Sequence, residues 1–490
     1  MIVLNGNEEP QKQDSYNGLT IRAPERVARR RRSWSPLPDY EASEAQYRRS
    51  LALEHKKMWH QTKVWRAVLF LLLAYALLTT VIGVPIIKMK HEDADDSSWS
   101  VNAVMGSQQP SPSGVVTLGN NMACNMWNHT NTVNSSLPYQ TTLQLELPAM
   151  GDISIRSNAT LDSTQSSNVT GNLTVDYDAN LKSNNAQISV TMWTSTHTLQ
   201  KTTLVCSADV GPNRGLSIFF PSYMSEMETI FMDIRVVLPK SVPPSSLISN
   251  FNVYLPVFAQ TFRDLNAVNF NSVTIEGTVL PINVAGIRAP RISVKNMLGD
   301  ISGTFNVSES LCVDTIKGSI NTTITLVKPT SRPTPTTLTI DNGDREINAH
   351  VSLVSAYKTS SSPHFVGKVT TFNAPANLTV NYYPSTPPLP VYFSLQNNLA
   401  RSKVVMDQKF QGTYLAQTKL APATIHQGIE NPKYNPAGSN KPRTLRADPG
   451  SSTSRSSGWI GWGKKPPNDE QSHVQVTSSL GPVDLEFGPT

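Results

Sequence analysis

Residues 296–326, "NMLGDISGTFNVSESLCVDTIKGSINTTITL", decide how the chain is read. Apolar residues come in short alternating bursts, each introduced by a small polar turn, which is strand periodicity and not helix periodicity. Val273-Thr-Ile275, Ile282-Asn-Val284, Ile292-Ser-Val294, Ile301, Leu311-Cys-Val313 and Ile320 to Leu326 follow one another along the chain. A Gly-polar-aliphatic signature recurs at Gly151, Gly171, Gly277, Gly299 and Gly318. One such unit cannot bury its inward side chains alone, so the units must stack. The expectation is a mainly β chain whose short strands stack as a β-solenoid. A β-sandwich, which also uses short strands separated by regular turns, is the alternative.

Working outward, "TLQLEL", "DISIRS", "NLTVDY" and "QISVTMW" extend the strand pattern back to about Thr141. Forward, "PTSRPTPTT" at 329–337 is expected to break the array, and "TIDNGDREI" reads as a hairpin with Asn342-Gly343 at its tip. Residues 426–471, rich in Pro, Gly, Ser and charge, read as a disordered insertion. Trp459 and Trp462 within it suit a cap over one end of the stack. The alternating end, 472–490, is expected to return to the sheet.

Ahead of the β-region (121–425) lies a different kind of sequence. Ala67 to Ile87, "AVLFLLLAYALLTTVIGVPII", carries no charge. About 20 apolar residues cross a bilayer, so 64–88 is expected to be a transmembrane helix. Residues 1–63 carry 12 Lys/Arg against 8 Asp/Glu, whereas Glu92, Asp93, Asp95 and Asp96 follow the segment. The positive-inside rule then places a disordered basic tail (1–63) in the cytosol. A flexible stalk (89–120) and everything after it lie outside or in a lumen. Span length favours the plasma membrane over internal secretory membranes.

Glycosylation sequons agree: Asn128, Asn134, Asn158, Asn168, Asn172, Asn306, Asn321 and Asn377 all lie after the apolar segment. The layout is that of a type II single-pass membrane glycoprotein with a signal-anchor. Cys124, Cys206 and Cys312 fall on the same side. An oxidising compartment allows one disulfide, for which Cys124–Cys206 is the preferred pair, with three unpaired thiols as the other reading.

The run of "GDIS", "IKGSI" and "VTIEGTV" resembles an adhesin-like family of β-solenoid domains, over about residues 140–330. The layout, with "PLPDYEASE" ahead of the anchor, is similar to single-pass membrane proteins of filamentous fungi. The resemblance implies an extracellular binding or structural domain and assigns no activity.

Chemistry is sparse. Leu37-Pro38-Asp39-Tyr40 resembles the Leu-Pro-x-Tyr motif that WW domains of ubiquitin ligases read through a polyproline II turn. Asn431-Pro432-Lys433-Tyr434 copies a sorting motif on the wrong side of the membrane and reads as a turn. Asp176 and Asp178 would share one strand face, the arrangement a glycosidase needs, and equally that of a wet strand end. Metal spacing, phosphate loops and nucleophile elbows are absent from the sequence, so no catalytic residue, cofactor or metal is expected. The net charge of +6 sits mostly in the tail, which argues against a nucleic-acid partner. The partners expected are the lipid bilayer, a wall or matrix polysaccharide or protein, and a WW-domain ligase at the tail.

Overall fold

The computed structural model describes residues 116–118 and 122–488, apart from 133–134, 160–167, 182–183, 209–213, 241–246, 330–333, 356–363, 429–441 and 466–471. The basic tail, the apolar segment Ala67 to Ile87, the Leu37–Tyr40 motif, Asn134, most of the stalk and Asn431–Tyr434 lie outside the described residues. Among the described residues, no helix is long and apolar enough to cross a membrane. Residues Trp99–Thr490 belong to one compact unit, and its described part is mainly β.

The first strands are β1 (Val116–Leu118), β2 (Met122–Cys124), β3 (His129–Thr132), β4 (Tyr139–Pro148), β5 (Gly151–Ser157), β6 (Val169–Asp178) and β7 (Asn185–Thr194). A short helix α1 (His197–Thr202) leads to β8 (Leu204–Ala208), β9 (Gly215–Phe219) and β10 (Ile230–Pro239). The stack follows with β11 (Ile248–Tyr254), β12 (Phe258–Asp264), β13 (Phe270–Gly277), β14 (Ile282–Asn296), β15 (Ile301–Thr315) and β16 (Ile320–Lys328). It continues through β17 (Thr336–Asn342), β18 (Ile347–Ser355), β19 (Phe365–Thr371), β20 (Ala376–Tyr382), β21 (Val391–Asn397) and β22 (Ser402–Met406). The last strands are β23 (Gly412–Gln417), β24 (Ala423–Gln427), β25 (Arg443–Ala447), β26 (Arg455–Trp462), β27 (His473–Ser478) and β28 (Val483–Phe487).

Two parallel ladders organise these strands. Ladder 1 runs β10, β6, β12, the first half of β14, the first half of β15, β16, β18, β20, β22, β28, β24. Ladder 2 runs β9, β5, β11, β13, the second half of β14, the second half of β15, β17, β19, β21, β27, β23. In the stack the chain alternates between ladders, so each rung contributes one strand to each. Ile282, Ile301 and Ile320 pair in register, 19 residues apart. Later rungs are longer because more residues separate their ladder 1 and ladder 2 strands, as between Lys328 and Thr336.

Like side chains therefore pile on like. Phe305, Ile324, Val351, Val380, Met406 and Phe487 form one inward column, and all are buried. Burial of such side chains contributes about 1.5–3 kcal/mol each, which a single rung could not collect without neighbours above and below.

From β14 onward, each passage from ladder 2 to ladder 1 is a tight corner opened by a buried polar residue. Asn296, Thr315, Asn342, Thr371, Asn397, Thr418 and Ser478 occupy this position. Apart from Thr371, whose buried hydroxyl has no partner among the described residues, their side chains replace lost strand hydrogen bonds. Thr315 Oγ1 accepts from the Gly318 N–H at 3.0 Å, Thr418 Oγ1 from Ala421 at 2.9 Å, and Ser478 Oγ from Gly481 at 3.0 Å. Asn342 Nδ2 donates to the carbonyls of Gly318, at 2.9 Å, and Arg345, at 2.7 Å. At Gly318 a Cβ would lie 1.9 Å from the Gly299 carbonyl oxygen, so the corner can pack this closely only with glycine there.

Three expectations need correcting. "TIDNGDREI" is a corner and not a hairpin: β17 pairs with β15 and β19, and β18 with β16 and β20. The Pro/Thr stretch does not break the array. It falls between β16, which ends at Lys328, and β17, which resumes pairing with β15 at Thr337 and Ser310. The interval 426–471 holds the hairpin β25–β26, which lies antiparallel on β23 and buries Trp459 and Trp462, so it is not disordered throughout. The end of the expected stalk likewise forms β1, paired with β2.

The chain's end is not the end of the stack. β27 lies between β21 and β23, and β28 between β22 and β24, so the last rung is inserted between two earlier ones.

Candidate functional site

In a strand, alternate side chains leave the core, so an in-register stack projects columns of outward residues about 4.8 Å apart. On ladder 1 these columns read Ser302, Asn321, Asn348, Asn377; then Thr304, Thr323, His350, Thr379; then Asn306, Thr325, Ser352, Asn381. Short polar side chains fill this patch, with no Asp, Glu, Lys or Arg among the twelve positions. Neighbours hydrogen-bond along a column: Ser302 Oγ donates to Asn283 Oδ1 at 2.6 Å, and Asn377 Nδ2 to Asn348 Oδ1 at 2.8 Å.

Ladder 2 is different. Its edge column runs Tyr254, Glu276, Lys295, Asp314, Asp341, and Cys312 sits in the next column between Ser293 and Thr339. Desolvation and the neighbouring Asp314 carboxylate raise the Asp341 pKa, against the pull of Lys368. The same surroundings raise that of the Cys312 thiol: burial first, then Asp314. Cys312 is unpaired and half-buried, so it resists ionisation. Cys124 and Cys206 face each other in register on β2 and β8 and are joined by a disulfide.

Asp176 and Asp178 line a groove of about 720 Å³ with Glu146, Tyr177 and Arg235. Asp176 pairs with Arg235 at 3.5 Å and also accepts from the Tyr177 N–H at 2.9 Å. Asp178 accepts from the Asn180 N–H at 2.8 Å, a turn contact. Asn128, a sequon residue, also lines this groove. Asp300 accepts from the Ser319 N–H at 2.7 Å, which ties one corner to the next. A smaller recess of about 480 Å³ lies where β14 and β15 bend between ladders, lined by Phe270, Arg288 and Asn306. Among the described residues no cluster of His, Cys, Asp or Glu could hold a metal ion.

The sequons scatter over several environments. Asn172, Asn321 and Asn377 are exposed on ladder 1, and Asn306 is half-buried at the bend. Asn168 Nδ2 donates to the Ser225 carbonyl at 2.8 Å, and Asn128 Oδ1 accepts from the Gln144 N–H at 2.7 Å. Asn158 is half-buried with its amide on Phe220. The polar patch on ladder 1 was not anticipated from sequence. Its signal was present in "INTTITL", "INAHVSL" and "ANLTVNY", which align once the rungs are known.

No protein-family model and no curated protein matches this chain. Among solved structures, one described as a "putative cell adhesion protein" from Clostridium sporogenes aligns at 7% identity over 71% of this chain and 98% of that one, with a TM-score of 0.15. A superposition that poor carries no argument about fold or function.

Proposed function

We propose that the chain is a type II single-pass membrane glycoprotein that presents a β-solenoid at the cell surface as a binding or structural domain. The observation carrying this reading is the pair of parallel ladders, which supports a solenoid over a sandwich of antiparallel hairpins. Such a stack offers long, regular outward faces and needs no pocket. The apolar segment, the basic flank and the one-sided sequons support the topology.

The reading is non-enzymatic. In the Asp176 groove one carboxylate is engaged by Arg235 and the other by a turn, and Asn128, whose sequon would carry a glycan, is part of the lining. The partners that fit are wall or matrix polysaccharides or proteins. Protease protection on intact cells tests the proposal, with epitope tags at both ends and a glycosidase shift alongside. Cleavage of the C-terminal tag, a shielded N-terminal tag and a glycosidase shift are expected. An exposed N-terminal tag would overturn it.

The Leu37-Pro38-Asp39-Tyr40 motif favours a second reading, a trafficking or receptor-like protein whose tail recruits WW-domain ubiquitin ligases. A peptide of residues 30–48 should then capture such a ligase, and Tyr40→Ala should lose it; equal capture by both removes this reading.

A further inference from the structure

From the placement of the sequons we infer that the glycans are confined largely to one face, with Asn172, Asn321 and Asn377 occupied, ladder 2's outward face bare, and the Asn158 sequon silent. This rests on the glycoprotein reading above.

In a strand, the Asn and Thr of Asn-x-Thr share a face and the middle residue takes the other. At all three positions the middle residue goes inward: Leu173, Thr322 and Leu378 are buried. Asn172, Asn321 and Asn377 are therefore presented to solvent together with Thr174, Thr323 and Thr379. Asn321 and Asn377 stand two strands apart in one column, with Asn348 between them. At about 4.8 Å per strand this leaves roughly 9.6 Å for two sugars side by side. No sequon falls within the ladder 2 halves of the rungs from β13 to β23.

Asn158 is different in kind. Its Oδ1 accepts from the Phe220 N–H at 2.8 Å while its Nδ2 donates to the Phe220 carbonyl at 3.2 Å. This two-point pairing of a side-chain amide with one residue's backbone uses the Nδ2 hydrogen on the Oδ1 side. In N-glycosylation, Nδ2 attacks C1 of the first N-acetylglucosamine of a lipid-diphosphate-linked oligosaccharide. The C1–O bond breaks, the lipid diphosphate leaves with the electron pair, and Nδ2 gives up a proton to the transferase's base. In the trans amide that results, C1 stands on the Oδ1 side, where the pairing hydrogen was. Sugar and pairing exclude one another. A glycan there would unpair both backbone groups of Phe220, a residue 3% exposed, and displace Ala159, which is 1% exposed.

The test is site-resolved mass spectrometry of the full chain exported from a eukaryotic secretory host, deglycosylated in heavy-oxygen water to mark occupied asparagines. Marks at Asn172, Asn321 and Asn377 and none at Asn158 are expected. A mark at Asn158 in exported, folded protein overturns the inference. So do bare Asn321 and Asn377 beside an occupied Asn128, while the glycoprotein reading survives. No mark anywhere removes that reading and the inference with it. Asn158→Gln adds a second readout: export should fall with the number of glycans unchanged. A loss of one glycan would show that the site is used.

Discussion

Phe487→Ala tests whether the stack behaves as a one-dimensional array. Phe487 is fully buried in the inserted rung. Its ring packs on Phe410 at 5.6 Å, nearly parallel at 19°, and on Tyr414 at 5.7 Å and 57°. Truncating a buried Phe costs about 3–5 kcal/mol, and loss of aromatic contacts of this kind places the cost in the upper part of that range. In a globular core the loss would lower protection throughout. Here each rung touches only its neighbours, so the loss should stay near the end of the stack. Native-state hydrogen exchange is the assay. Amides of β22, β24 and β28 should exchange roughly a thousandfold faster, since 1.4 kcal/mol is about tenfold. Those of β14 to β16 should keep wild-type rates. A uniform acceleration across all rungs would refute the nearest-neighbour reasoning, and unchanged rates in β28 would refute the packing.

Other perturbations probe the corners, the charges and the cap. Gly318→Ala puts a methyl 1.9 Å from the Gly299 carbonyl oxygen and should cost about 2–4 kcal/mol in chemical denaturation. Asn342→Ala leaves the Gly318 and Arg345 carbonyls without their donor and should cost about 1–3 kcal/mol. Asn342→Asp should be worse than Asn342→Ala, because it aims a buried carboxylate at two carbonyl oxygens. Asp341 has a raised pKa, so the fold disfavours its charged form; stability is lower above the folded pKa than below the unfolded one. Asp341→Asn should therefore raise Tm near neutral pH, and the gain should fade as pH falls through the folded pKa toward the unfolded value. Replacing Cys124 and Cys206 together by serine opens a link spanning 82 residues. Loop entropy puts that loss at about 4.5 kcal/mol, read as faster exchange across the loop the disulfide closes, from β2 to β8.

Strand period and stacking were legible because they are local patterns of side chains. The corner was only half legible. Of the five glycines that carried the signature, Gly299 and Gly318 sit inside corners. Gly277 instead pairs with Asn296 at a strand end, and Gly151 and Gly171 belong to β5 and β6. The more general mark is the small polar residue three positions earlier, which the turn needs whether glycine, as at Gly318, or alanine, as at Ala421, follows. Asn342-Gly343 misled because a hairpin and a corner draw on the same turn chemistry. They differ only in which strands lie beside them, a non-local fact. The β25–β26 hairpin was hidden for a related reason: its Trp459 and Trp462 bury against a stack that composition alone cannot see. The polar patch was hidden because its columns exist only between rungs up to 29 residues apart, as Asn348 is from Asn377.

The inserted rung shows where local reading ends. By sequence, β23 and β24 should stack directly on β21 and β22, as every earlier rung from β15 onward stacks on its predecessor. The register instead sets Thr413 beside His473, and His473 beside Tyr392. Val474, Val476, Val483, Leu485 and Phe487 are fully buried only because they have rungs on both sides. The two rungs flanking them cannot reach their final partners until these last residues have been made. That pairing joins Tyr392 to His473 across 81 residues, a loop closure that is costly in entropy and slow compared with the 19-residue steps of the early stack. Contact separation therefore predicts that the early rungs form before the C-terminal ones. The antiparallel β26 then covers β23, the strand that would otherwise be left as an open edge of ladder 2.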